Sequence, residues 1–347
     1  MKAFQFVGWG RSPEFRDVPV PKAGPGQVLV RVAGAGACHS DLHLQEFPAG
    51  ALPYDLPFTL GHENAGWVEE VGAGVGRLAK GDPVLIYGPW GCGRCRPCQM
   101  GYEAYCERSA EIRNAGGGLG RDGGMAPFML VPEARWLVPL PPSLDPRLAA
   151  PLADAGLTPY HAVKRALPSL PGGATAVVIG AGGLGQMGIQ LLRVLSGARV
   201  VALDTSEAKL ATARELGADE ALRPGDEAVV RIRELTRGEG AEAVIDFVGS
   251  DATLALAAKA ARRMGQIIIV GIAGGTLPVS FFGVPQECAI ATTYWGTLPE
   301  LTEVVALAAM KRIRLEAEIF PLERTPEAYQ RMREGRLRGR AVIAPNG

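Results

Sequence analysis

The stretch TAVVIGAGGLGQMGIQLLRVL, residues 175–195, constrains the fold more than any other part of this 347-residue chain. A short apolar run rich in Val and Ile leads directly into Gly180-x-Gly182-x-x-Gly185 and then into an amphipathic segment. That order reads as strand, tight turn and helix. The first two glycines let the backbone turn sharply and approach a pyrophosphate at the helix N-terminus, where free amides and the helix dipole attract an anion. The next strand, ARVVALD, ends on Asp204, 24 residues after Gly180. A carboxylate placed there accepts the two ribose hydroxyls of NAD and repels the 2′-phosphate of NADP. Two further apolar segments, EAVIDFVG (242–249) and GQIIIVGIAG (265–274), read as buried parallel strands of the same doubly wound sheet.

Ahead of this unit the composition changes. Residues 1–140 are rich in Gly and Pro and carry short alternating segments (QVLVRVAGAG, NAGWVEEVG, DPVLIYG), which predict a mostly β domain. The Pro-rich VPLPPSLDP, residues 138–146, reads as the seam. The 36 basic and 36 acidic residues cancel, so nothing points to nucleic acid or an anionic membrane as partner. The uncharged runs Ala174–Leu192 and Met264–Gln286 are long enough to imitate membrane spans. Both are broken by glycines, and the second also by Pro278 and Pro285, so buried strand-turn-helix segments are expected instead. No apolar leader follows Lys2, and a cytoplasmic protein is expected.

A reducing compartment disfavours disulfides, yet four of the six cysteines crowd into GCGRCRPCQMGYEAYC, residues 91–106. Cys92, Cys95, Cys98 and Cys106 follow the spacing C-x2-C-x2-C-x7-C, which fits a closed tetrahedral zinc site. An iron–sulfur cluster is the alternative, but that motif places its fourth Cys at x3 and follows it with Pro, whereas Glu107 follows here. Cys288 stands alone and is expected to be a buried inert thiol. Three of the four histidines fall in CHSDLH (38–43) and GHE (61–63). Cys38 and His62 are the best ligands for a second metal, and Asp154, ahead of an expected helix, is available as a third. His161 reads as a packing residue of that helix.

Several motifs in a fixed order, namely GHENAGWVEEVGAGV, the four-cysteine lobe, AGLTPYHAV, GAGGLGQMGIQ and GRAVIAP, resemble the zinc-dependent medium-chain alcohol dehydrogenase family over essentially the whole length. The resemblance implies an α/β protein: a GroES-like, mostly β catalytic domain (1–154 and 297–347) and a doubly wound parallel-sheet Rossmann domain (155–296). It implies Cys38, His62 and Asp154 as catalytic zinc ligands, with Asp where many members have Cys. Glu63 is then a neighbouring carboxylate or transient ligand, and Asp41 holds the tautomer of His62. Ser40 and His43 match the hydroxyl and imidazole that carry the alcohol proton outward.

The expected cofactor set is Gly180, Gly182, Gly183, Leu184, Gly185, Asp204, Lys209, Val270 and Ile272, with His39 and Arg340 near the pyrophosphate. Tyr54, Trp90, Leu119, Tyr294 and Trp295 are candidates for an aromatic, apolar substrate pocket. These assignments imply reversible hydride transfer between primary, secondary or aromatic alcohols and NAD, with two zinc ions per chain in a homotetramer or dimer. A polyol or threonine dehydrogenase of the same superfamily and a non-catalytic zinc- and nucleotide-binding protein are the rival readings.

Overall fold

Val28–Ala37 is the longest strand of the protein and the axis of its first sheet. In the computed structural model, which describes residues 1–347, the chain separates into two units: Met1–Leu157 with Gly296–Gly347, and Thr158–Trp295. The sheet of the first unit runs in the order Leu137–Pro139, Pro83–Ile86, Glu63–Val71, Val28–Ala37, Arg340–Ala344, Ala317–Pro321. A further strand, Phe128–Val131, pairs with the first half of Val28–Ala37. All pairs are antiparallel except Arg340–Ala344 with Ala317–Pro321. Alternation predicts half-buried strands here, but Val28–Ala37 is buried at every residue except Arg31. Its AGAGA half carries no side chain needing water, and the helical turns Pro146–Ala149 and Ala150–Ala153 pack against it.

Those turns also correct the expected seam. Asp145 accepts a hydrogen bond from the Arg147 amide at 2.9 Å and so caps the turn that begins at Pro146. The Pro-rich stretch is therefore a corner within the first unit, which continues to Leu157.

In the second unit six strands form one parallel sheet, ordered Glu220–Leu222, Arg199–Leu203, Thr175–Ile179, Ala241–Asp246, Ala261–Ile269, Ala289–Thr292. The order reverses beside Thr175–Ile179, the position at which doubly wound sheets open a crevice for a ligand. Helix Gly183–Leu195 leaves from that point and buries Ile189, Leu191 and Leu192 completely. Each such side chain contributes about 1.5–3 kcal/mol.

The run Met264–Gln286 departs from its expected form. Its strand ends at Ile269, and no helix follows, because Gly271, Gly274, Gly275, Pro278 and Pro285 interrupt the segment. Val279, Phe281 and Phe282 are exposed by 65%, 74% and 89%. Cys288 is half-buried and not buried, since it lies on the approach to the edge strand Ala289–Thr292. No helix of the protein is long and apolar enough to cross a membrane.

Candidate active site

Cys38 follows the central strand directly and caps the short helix His39–Glu46. Its amide donates to Asp41 Oδ2 at 3.0 Å, so the cap that starts the helix also fixes the acid. The other oxygen of Asp41 lies 3.1 Å from His62 Nδ1, which leaves Nε2 turned toward Asp154 Oδ2 at 3.6 Å. Cys38 Sγ is 3.8 Å from the same Asp154 oxygen. One ligating atom from each of Cys38, His62, Glu63 and Asp154 lies within 4.8 Å of all the others.

Glu63 is fully buried and reaches this cluster only because residue 36 is glycine: a Cβ there would sit 1.8 Å from Glu63 Oε2. Arg340 Nε donates to both Glu63 oxygens, at 3.1 and 3.0 Å, and Nη2 makes a shorter contact with Oε1. Arg340 Nη2 is also 3.5 Å from Asp154 Oδ2. The Ala155 amide donates to Glu63 Oε1 at 3.2 Å.

Burial pushes the Glu63 carboxyl up to about 7, with Arg340 pulling the other way. His62 is raised well above the ordinary histidine range: burial opposes the charged ring, but Asp41, then Asp154 and Cys38, outweigh it. Of these, Asp154 lies beside Nε2, where with Cys38 it favours a positive charge, the condition a metal cation satisfies.

The four-cysteine lobe also fits a metal. Zinc–sulfur bonds of about 2.3 Å put tetrahedral sulfurs roughly 3.8 Å apart. Cys95 Sγ is 3.3 Å from Cys98 Sγ and 3.9 Å from Cys106 Sγ, and all four sulfurs lie within 4.8 Å of one another. Amides turn inward, Cys95 N to Cys92 Sγ and Cys92 N to Cys106 Sγ, each at 3.3 Å. Such donors hold the Cys92 thiol down at about 6, chiefly through the Arg94 backbone.

Ser40 Oγ is 3.4 Å from His62 Nε2, so the hydroxyl shares the ligand face. His43 is partly exposed on the same helix, with Nδ1 3.2 Å from Glu46 Oε2. His39 is exposed on the first helical turn, and His161 is buried in helix Leu157–Ala166. Tyr54, Trp90 and Leu119 gather around the turn at 116–120. Trp90 N donates to Ala115 O, Ala115 N to Leu119 O, and a Cβ at Gly120 would lie 2.9 Å from Tyr54 Cδ1. Gly118 of that turn presses against Gly61 and the His62 amide. Trp90 stacks on Trp136 with ring centroids 5.2 Å apart. Tyr294 and Trp295, in edge contact at 5.5 Å, belong to the second unit.

In that second unit Gly180 adopts φ +87°, and Gly182 caps the helix begun by Gly183, Leu184 and Gly185. A Cβ at Gly185 would lie 1.7 Å from Gly180 O, so turn and helix meet only through glycine. A cavity of about 610 Å³ opens there, lined by Gly180, Asp204, Lys209, Val248, Ser250 and Thr253 among others. Asp204 Oδ2 accepts from Ala181 N at 2.8 Å and Oδ1 from Ser206 N at 2.9 Å, which fixes its carboxylate at the wall. Val270 is buried just beyond its strand, and Ile272 is exposed.

Three features escaped sequence reasoning: the clearance at Gly36, the Glu63–Arg340 pair and a contact from Tyr329 to Asp41. The first two carry no local signal, because each joins residues distant in the chain. Tyr329 lies in a helix that reads as ordinary amphipathic surface.

The architecture and the metal-type donor sets are those of a dinucleotide-dependent metalloenzyme class, and comparison with known proteins agrees. A family model described as "Alcohol dehydrogenase GroES-like domain" matches residues 24–142, and one described as "Zinc-binding dehydrogenase" matches 183–310. The NAD-dependent alcohol dehydrogenase of Sulfurisphaera tokodaii is 34% identical, covering 99% of this chain and 100% of that protein. D-arabinose 1-dehydrogenase (NADP(+)) of Saccharolobus solfataricus is 37% identical, over 95% of this chain and 93% of its own. Among solved structures, the alcohol dehydrogenase of the hyperthermophilic archaeon Aeropyrum pernix superposes with a TM-score of 0.91 at 39% identity, covering 99% and 100% of the two chains. The chain belongs to the zinc-dependent medium-chain alcohol dehydrogenase family.

Proposed function

We propose that the protein is an NAD-dependent zinc alcohol dehydrogenase acting on primary, secondary or aromatic alcohols and on the matching aldehydes and ketones. The observation that carries this reading is the convergence of Cys38, His62 and Asp154, a thiol, an imidazole and a carboxylate, beside a hydroxyl from Ser40. Three protein ligands leave a position open, which is the mark of a catalytic site. When bound, zinc supplies Lewis acidity toward a substrate oxygen, and NAD supplies the hydride acceptor.

The chain's own residues do the rest. Asp41 holds His62 with Nε2 presented inward. Ser40 Oγ would accept the alcohol proton while giving up its own, through the cofactor's ribose hydroxyl, to the partly exposed His43 and so to solvent. Asp204 orients the adenosine ribose, and Lys209 faces the same cavity. Arg340 reads as the counter-charge of Glu63 within the ligand cluster more than as a pyrophosphate contact. Tyr54, Trp90 and Leu119 bound the substrate space with apolar surface.

Cys92, Cys95, Cys98 and Cys106 hold a second, structural zinc, and such free thiols suit the cytoplasm. The edge strand Ala289–Thr292 and the exposed Phe281 and Phe282 suit assembly into a homodimer or homotetramer.

A sugar dehydrogenase is the second reading, favoured by the identity to the D-arabinose enzyme. The test is turnover with NAD and NADP against ethanol, 2-propanol, benzyl alcohol and D-arabinose, with and without chelator. Chelator-sensitive, NAD-dependent oxidation of simple alcohols is expected. Turnover confined to D-arabinose with NADP would overturn the reading.

A further inference from the structure

We propose that Tyr329 is a positioning residue for the catalytic metal ligands, acting through Asp41. The proposal rests on the reading of Cys38, His62 and Asp154 as a zinc site. Asp41 is fully buried, so its carboxylate oxygens need protein donors in place of water. The carboxylate has three such partners. One oxygen faces the His62 ring, and the other accepts the Cys38 amide at 3.0 Å and the Tyr329 hydroxyl at 2.8 Å. One acid thus touches the ring of one ligand and the backbone of another, and the tyrosine fixes its plane from a third direction.

The tyrosine is itself held rigidly. It projects from the helix Thr325–Arg333, 288 residues away in sequence from Asp41. Its ring stacks on Phe4 with centroids 6.1 Å apart, its hydroxyl lies 3.5 Å from Met125 Sδ, and it is 3% exposed. In so apolar a seat a phenol hydroxyl is costly unless bonded, and its only charged partner is Asp41. A phenylalanine would fill the same space. The hydroxyl therefore serves the carboxylate and, through it, the geometry of Cys38 and His62. Groups that brace metal ligands in this way typically alter metal affinity by about 10–100-fold when removed. Tyr329 stands one bond further out, so the lower figure is expected.

The experiment uses the full-length protein equilibrated in zinc buffers, with zinc per chain measured as free zinc is lowered. Tyr329→Phe keeps the ring against Phe4 and deletes only the hydroxyl. It should weaken the more labile zinc about tenfold while leaving the four-cysteine zinc and the KM for NAD unchanged. Phe4→Leu serves as the second variant: it disturbs the ring's seat and keeps the hydroxyl, so it should lower the melting temperature with zinc affinity unchanged. Unaltered zinc affinity in Tyr329→Phe, or an equal weakening in Phe4→Leu, reduces Tyr329 to a packing residue and overturns the proposal. Failure of the underlying reading looks different: Cys38→Ala would then still bind two zinc ions per chain.

Discussion

The two donor clusters of the first unit are built on opposite plans. Cys92, Cys95, Cys98 and Cys106 come from one loop, carry four identical donor atoms and take their orientation from backbone amides. Cys38, His62 and Asp154 come from the residue after a strand, the residue before another strand and the residue after a 3-10 turn, with three different donor atoms. Around the second cluster lies a buried network of Asp41, Glu63 and Arg340, whereas beside the first buried Glu103 pairs only with the partly exposed Arg135. A local, uniform cluster is suited to storing folding energy. A dispersed, mixed one needs its network, because donors of unequal charge hold an open position only when neighbours fix them.

The most direct way to break this contrast is to remove one thiol from each cluster. Cys38→Ala should cost turnover at least about a thousandfold, the scale expected for loss of electrophilic stabilisation, while the melting temperature changes little. Cys95→Ala should do the reverse, lowering the melting temperature by several degrees and destabilising the fold by more than about 3 kcal/mol. Metal content, melting curves and steady-state rates on both variants decide the matter. If Cys95→Ala lost turnover and kept its stability, the division of labour would be wrong.

Glu63→Gln probes the network with a smaller effect. Without the carboxylate charge, Arg340, already 3.5 Å from Asp154, should pair with that ligand instead. Zinc affinity should fall roughly 10–100-fold, with the four-cysteine zinc untouched, as read by zinc-buffered dialysis. Equal affinity in the variant would show that Glu63 and Arg340 are only a packing pair.

The smallest change is expected at the proton exit. His43→Gln should keep both zinc ions and slow alcohol oxidation about tenfold, with partial recovery on adding small buffer bases. His62→Gln should lose one zinc, and buffer should restore nothing. Zinc loss from both variants alike would move His43 into the ligand set.

What the sequence discloses follows the same contrast. The four cysteines and the Gly180–Gly185 turn are legible because their geometry is set within a few residues, where spacing determines which atoms can meet. Cys38 and His62 are legible by chemical type, and the structure brings them together. The Glu63–Arg340 pair is invisible in spacing: it depends on strand Arg340–Ala344 pairing beside Val28–Ala37, a register no local pattern encodes. The exposed Phe281 and Phe282 mislead for another reason. An apolar, uncharged run looks the same in sequence whether it is buried within the chain or left on its surface.

The 277 residues that separate Glu63 from Arg340 also impose a timetable on biosynthesis. At roughly 5–20 residues per second, a ribosome needs about 14–55 s to travel from one to the other. The four-cysteine loop has all its donors within fifteen consecutive positions, so it can capture metal as soon as it emerges. Cys38, His62 and Asp154 are all made before the second unit, but Arg340, which pairs with Glu63 among them, is made after it. During that interval Glu63 and Asp154 lack the guanidinium that approaches both in the finished protein. Connectivity thus completes the four-cysteine donor set early and the charge balance around Glu63 last.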